Sequence, residues 1–153
     1  MSRREAREKA FMLLYQMEIQ KGEEEAQLAC FIKEFPIYGQ DLDYMIRLVR
    51  GVSANKDQLD ACFSPYLRRW KKERLPKIDV VILRLAIYEM LYVEDVPNNV
   101  AISEAVLLCR KYTTDESRSY INAVLGRLCD AEDAEDVEQV RLFKPNGKNG
   151  DAR

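Results

Sequence analysis

The sequence predicts an all-α protein of about seven helices. Three observations carry that reading: apolar residues recur at helical spacing almost throughout, no stretch alternates as a strand would, and helix-ending residues fall between the periodic segments. At 153 residues the chain is long enough for one domain, or for two small helical lobes sharing a core. Hydrophobic residues at 47% are enough to build that core.

Ala6, Ala10, Leu13, Leu14 and Met17 share one helix face, so the first helix spans 3–20 and ends at Lys21-Gly22. A second helix covers 23–34, with its acidic residues at the N-terminal end where the helix dipole favours them. Pro36 and Gly39 mark a loop. Residues 41–55 follow as a strongly amphipathic third helix through Leu42, Met45, Ile46, Val49 and Val52. A short fourth helix, 55–64, stops at Pro65, and 66–75 reads as a basic connector. Pro76 suits the first turn of a fifth helix, because its missing N–H is not needed there. That helix, 78–93, is apolar nearly all round and is expected to be central. Glu94-Asp95-Val96-Pro97 is a sharp connector into the sixth helix, 98–112. After a polar turn rich in N-cap candidates, the seventh helix runs over 117–130 with Ile121, Val124, Leu125 and Leu128 inward. The tail 144–153 is almost devoid of apolar residues and is expected to be disordered.

Composition excludes several kinds of chemistry. The chain has no histidine, which removes Ser-His-Asp and Cys-His nucleophile pairs, histidine zinc sites and histidine pH switches. Cys30, Cys62, Cys109 and Cys129 form no CxxC pair, lie in apolar helical surroundings and read as four buried free thiols. No glycine-rich phosphate loop occurs, and the acidic runs read as solvated faces. The expectation is a non-enzyme without cofactor or metal. The longest apolar run, 78–93, carries three charges and is shorter than the roughly 20 residues of a membrane span. The N-terminus has no signal-peptide core, so a soluble cytoplasmic protein is expected.

With 24 Lys/Arg against 26 Asp/Glu, a net charge of −2 rules out coating nucleic acid by bulk positive charge. The total conceals segregation. Residues 1–10 hold four Lys/Arg against two Asp/Glu, and residues 61–84 hold seven against two. One island is Arg3, Arg4, Arg7 and Lys9; the other is Arg68, Arg69, Lys71, Lys72, Arg74 and Lys77. Such islands suit phosphate binding, and equally a solvated face with a charged loop. On the first helix Arg4, Phe11 and Tyr15 point almost opposite the core stripe, with Arg7 at their edge. Cations leading into aromatics fit single-stranded nucleic acid; a helix buried on two sides fits the same pattern. Around the last turn, Arg110, Lys111 and Tyr112 precede and Arg118, Tyr120 and Asn122 follow, beside a helix N-terminus that attracts phosphate. A cap and a core edge would also explain that Tyr and Asn.

The segment ERLPKIDVVILRLAIYEMLYVEDVPNNVAISEAVLLCRKY, followed by DESRSYINAVLGRL, resembles the NusB family of bacterial transcription antitermination factors. The matching signals are IDVVILRLAIYEML, the DVP connector, VAISEAV before RKY, and S-x-x-Y-I-N-A-V-L; the opening RREAREKAFMLLYQME is similar to the family's start. The likeness covers most of the chain, while residues 22–60 are generic helical sequence.

The resemblance implies an all-α domain over 1–143 made of two helical subdomains, about 1–65 and 66–143. It implies binding of boxA-type RNA from ribosomal RNA leaders, together with ribosomal protein NusE, in a complex that helps RNA polymerase resist termination with other Nus factors. By the family pattern Arg3, Arg4 and Arg7 fall on the RNA side, Tyr15 near the RNA, and Asp79 at the RNA and partner surface. Tyr112, Glu116, Tyr120 and Asn122 take RNA-contacting positions around the last turn, where Arg118 adds a cation. The chain departs from the family at Thr113-Thr114, where Gly often follows the RKY aromatic, and at Tyr120-Ile121-Asn122-Ala123, where Phe-Val-Asn-Gly is usual. A role in RNA binding for the connector Arg68 to Lys77 is inferred from its charge alone. Two other functions fit: an RNA-binding module of a ribosomal RNA methyltransferase, disfavoured because no cofactor-binding half follows, and a protein-interaction scaffold or homodimer.

Overall fold

In a computed structural model of the chain, residues 3–68 and 71–133 are described, with side chains to Ala131. Arg69 of the second basic island and the whole tail 144–153 lie outside the described residues. Seven α-helices follow in order: α1 Arg3–Ile19, α2 Glu24–Glu34, α3 Gly39–Ala54, α4 Lys56–Phe63, α5 Lys77–Tyr92, α6 Asn98–Tyr112 and α7 Asp115–Asp133. The all-α expectation therefore holds, and the helix ends agree with the sequence reading to within about a turn. The basic connector is not featureless. A short 3-10 turn, Ser64–Tyr66, leads from α4 into it, and a second, Lys72–Arg74, lies within it.

The helix ends have local causes. α1 stops before Gly22, whose φ is 90°, and Glu23 next to it is also left-handed at φ 57°. Gln27 ties this turn down by donating from its buried amide to the carbonyls of Gln20 (2.7 Å) and Gly22 (2.9 Å). α7 begins two residues earlier than expected because Thr114 caps it: the Ser117 N–H donates to Thr114 Oγ1 at 3.1 Å.

α5 is the hub. Residues 79–91 are buried on every face, and the helix packs against α1, α3, α4, α6 and α7. α1 lies on α2, α3 and α5, so it is enclosed on more than one side. A helix with this much apolar contact is held by burial, at about 25 cal/mol per Å² of apolar surface. The charges inside α5 need partners, since an unpaired buried ion is very costly. Arg84 finds them in Asp60 of α4 (2.7 Å and 2.8 Å) and Glu18 of α1 (3.0 Å), with Lys72 of the connector 3.2 Å from the same Asp60. That cluster binds α1, α4 and the connector to the hub. The four cysteines form no disulfide, as expected, but Cys30 is exposed and Cys129 only partly buried. α2 and the end of α7 lie at the periphery, where apolar periodicity does not guarantee cover. Among the described residues, no helix is long and apolar enough to cross a membrane.

Candidate nucleic-acid interface

The N-terminal arginines separate into three environments. Arg3 lies over the Tyr44 ring, 4.3 Å from its centroid, and reaches Asp95 at 3.1 Å. Arg4 is exposed and grips Glu104 of α6 through Nη2 (2.9 Å) and Nε (3.1 Å). Arg7 is buried. It makes a two-pronged contact with Glu89 of α5 (2.7 Å and 2.8 Å) and approaches Glu104 at 3.1 Å, while the Tyr44 hydroxyl donates to Glu89. The expectation that Arg7 edges an open face is corrected: its guanidinium is consumed in a core ion pair. Burial would lower its pKa, but the bonds to Glu89 outweigh that and hold it charged.

The aromatic face of α1 is corrected in the same way. Phe11 is fully buried and Tyr15 half-buried. Their rings are parallel at 6.2 Å, and the Tyr112 ring packs on Phe11 at 4.8 Å. Tyr112 also donates its hydroxyl to Glu8, which accepts Lys111 Nζ at 2.6 Å. Burial, then the neighbouring Glu8 carboxylate, pushes the Tyr112 phenol up to about 12. Phe11 is thus a core residue that presents no face to a base. Tyr15 and Tyr112 keep partial exposure beside it.

α7 forms a ridge between two depressions. On one side a shallow groove of about 360 Å³ gathers Arg4, Ser103, Glu104, Leu107, Arg110 and Asn122. Asn122 is exposed there beside two arginines. On the other side lies a cleft of about 850 Å³, between the basic connector and the first turns of α7, lined by Arg68, Arg74, Asp79, Glu116, Tyr120 and Arg127 among others. Arg127 donates twice to the Tyr66 carbonyl (2.8 Å and 3.1 Å), and the Tyr120 hydroxyl accepts the Arg68 N–H at 3.3 Å. These contacts seat the start of the connector on α7. The hydroxyl that distinguishes Tyr120 from phenylalanine is used for that contact.

Asp79 is buried at the cleft wall. Its Oδ2 accepts the Ser117 hydroxyl at 2.8 Å; its Oδ1 has no hydrogen-bond partner among the described residues, and neither does the buried Nε of Arg118. Burial pushes the Asp79 carboxyl above the usual carboxylate range, against the Ser117 bond that lowers it. Arg118 points its Nη2 to Asp115 at 3.4 Å. Glu116 is exposed.

The structure thus brings Arg4 and Asn122 together in the groove, and Asp79, Glu116 and Tyr120 together in the cleft. It leaves Arg3 by Tyr44 and Arg7 in the core. Sequence reasoning missed Glu8, Glu89 and Glu104, the carboxylates that receive these cations. One signal is available for them: a charge inside an apolar helix, such as Glu89, requires an opposite charge from elsewhere in the chain. Arg127 lines the cleft as well, and no feature of the sequence singles it out.

A sequence profile of the NusB family matches residues 4–130. The transcription antitermination protein NusB of Acetivibrio thermocellus is 41% identical over 147 residues, covering 96% of this chain and 95% of that protein. The NusB protein of Listeria monocytogenes is 43% identical over 128 residues, covering 84% of this chain and 96% of its own length. Among solved structures, Thermotoga maritima NusB superposes with a TM-score of 0.77 at 30% identity, over 85% of this chain and 92% of that one. A chain from a complex of the antitermination factors NusB and NusE with dsRNA gives 0.76 at 22% identity, over 84% and 96%, and so shares the fold.

Proposed function

The chain belongs to the NusB family, and from that premise we propose that it is a transcription antitermination factor. It binds boxA-type RNA of ribosomal RNA leader transcripts together with ribosomal protein NusE. The assembled complex, with other Nus factors, helps RNA polymerase resist termination in the cytoplasm. No catalytic step is assigned to it.

The observation that carries this reading is the α7 ridge, with cations on both flanks, the Asn122 amide on one and the Tyr120 ring on the other. Arg4, Arg110 and Asn122 supply phosphate contacts and a base-reading amide on one flank. Tyr120, Glu116 and Asp79 line the other, next to the cations of the connector. Tyr15 and Tyr112 offer ring edges to bases, and Arg3 and Arg118 contribute charge at the margins. Arg7 supports the site indirectly by holding α1 on α5 and α6. A near-neutral chain whose cations only flank the ridge binds RNA modestly alone, which leaves affinity for a protein partner to add.

The test is electrophoretic mobility of boxA-type RNA with the chain, with and without NusE, across a salt series. Salt-sensitive binding that NusE strengthens is expected. No shift with both proteins present overturns the assignment.

A further inference from the structure

The ion pairs on the face formed by α1, α6 and α7 are of two kinds. In Arg3–Asp95 and Arg118–Asp115 the carboxylate is the more exposed partner, at 70% and 96%. Such pairs open at little cost, since exposed ion pairs are weak in water. In Arg4–Glu104 and Lys111–Glu8 the order is reversed. Arg4 and Lys111 are 66% and 63% exposed, while their carboxylates are sheltered at 11% and 23%.

The sheltered carboxylates are also anchored by a second group. Glu104 lies 3.1 Å from Nη1 of the buried Arg7, and Glu8 accepts the Tyr112 hydroxyl as well as Lys111. Burial would raise the Glu8 carboxyl, but the bonds from Lys111 and Tyr112 outweigh it and keep it ionised. Neither carboxylate can swing aside when its cation turns to another anion.

We infer that Glu104 and Glu8 are affinity-setting residues of the RNA face: built-in counter-ions that hold Arg4 and Lys111 until a phosphate displaces them. The inference rests on the RNA-binding role proposed above. A phosphate that takes Arg4 leaves the Glu104 charge standing beside it. The protein therefore resists indiscriminate contact with RNA backbone and favours RNA that makes further contacts along the ridge. The salt dependence follows. Each phosphate contact on a single strand contributes about 0.7 to the slope of log K against log salt by counterion release. A freed carboxylate takes up a cation in return and cancels one such release.

The test titrates the full chain with a labelled single-stranded boxA-type oligoribonucleotide between about 50 and 200 mM salt, beside the variants E8Q, E104Q and E25Q. Glu25 pairs with Arg50 on the α2–α3 side, so E25Q changes the net charge equally while leaving this face intact. E8Q and E104Q are expected to bind about fivefold tighter than the unaltered chain, the effect of one like charge removed at ~4 Å in water, with a slope steeper by about 0.7. E25Q is expected to match the unaltered chain. Equal affinity among all three variants, or weaker binding by a folded E8Q, overturns the inference. Because Glu104 also touches the core, melting is recorded for each variant, and if E104Q loses its fold E8Q decides alone. Absence of RNA binding by the unaltered chain, with or without NusE, instead overturns the RNA-binding role itself.

Discussion

Arg3, Arg4 and Arg7 each meet a carboxylate supplied by α5, α6 or the connector between them. Arg68, Lys71, Arg74 and Lys77 of the second basic island have no ion-pair partner among the described residues, and Arg68 and Arg74 line the larger cleft. As sequence the two islands look alike. Folded, the arginines of one are neutralised on a face built onto the core, while the other, apart from Lys72 on Asp60, keeps Arg68, Lys71, Arg74 and Lys77 unpaired along the connector and the start of α5. The difference teaches that a basic cluster becomes a phosphate site or a structural clamp according to what the fold brings opposite to it. Even within the first island Arg4 and Arg7, three residues apart, take different roles.

The largest expected effect breaks the clamp. Arg7→Ala leaves Glu89 buried with a lost partner and is expected to cost about 3–5 kcal/mol in urea unfolding. Arg4→Ala, at an exposed position, is expected to leave unfolding nearly unchanged while weakening RNA binding. Equal destabilisation by the two would erase the distinction drawn between them.

Replacing Arg68, Lys71 and Arg74 together by Ala sharpens the comparison from the other island. Thermal melting is expected to be unchanged, since none of the three is paired. The salt slope for RNA is expected to flatten by about 2 if all three meet phosphates. An unchanged slope would make the connector a solvated strip.

Asp79 lies at the base of the same cleft. Its folded pKa is raised by burial, so the folded state prefers it protonated, and that preference costs stability progressively as pH rises from the unfolded value of 3.8 toward the folded one and fully above it. Asp79→Asn is expected to stabilise by about 1 kcal/mol at neutral pH. The gain should vanish as pH falls below 3.8, the unfolded value, where Asp79 is protonated in both states. Chemical denaturation at the two pH values reads this directly, and a gain independent of pH would point to packing instead.

The smallest effect is expected at Asp95→Asn. Its pair with Arg3 is exposed on both sides, so the change in unfolding free energy should stay below about 0.5 kcal/mol. A larger loss would place Arg3 with Arg7 as a clamp.

Much of the architecture is legible in the order of residues alone. The 3.6-residue recurrence of apolar side chains locates all seven helices, and Pro65, Pro76, Pro97 and Gly22 punctuate them. The unbroken apolarity of 78–93 marks α5 as the hub it proves to be. The motif around Ser117 to Leu125 points to the right family. These signals are local, written within a few turns of chain, and so survive without knowledge of neighbours.

The site is legible only in part. The face of α1 carrying Phe11 and Tyr15 looks free on a helical wheel, yet Tyr112 covers Phe11. A wheel shows which residues share a face and never how many faces are buried. The pairings Arg7–Glu89, Arg4–Glu104 and Lys111–Glu8 join residues that are 82, 100 and 103 positions apart. No spacing rule reaches that far. Sequence by itself determined the helices, their amphipathic faces and the two concentrations of positive charge, because each depends on periodicity and composition along the chain. Only the tertiary structure decided which cations stay free and which are spent on carboxylates, because burial and Coulomb attraction depend on distance in space, and folding sets that distance independently of separation in sequence.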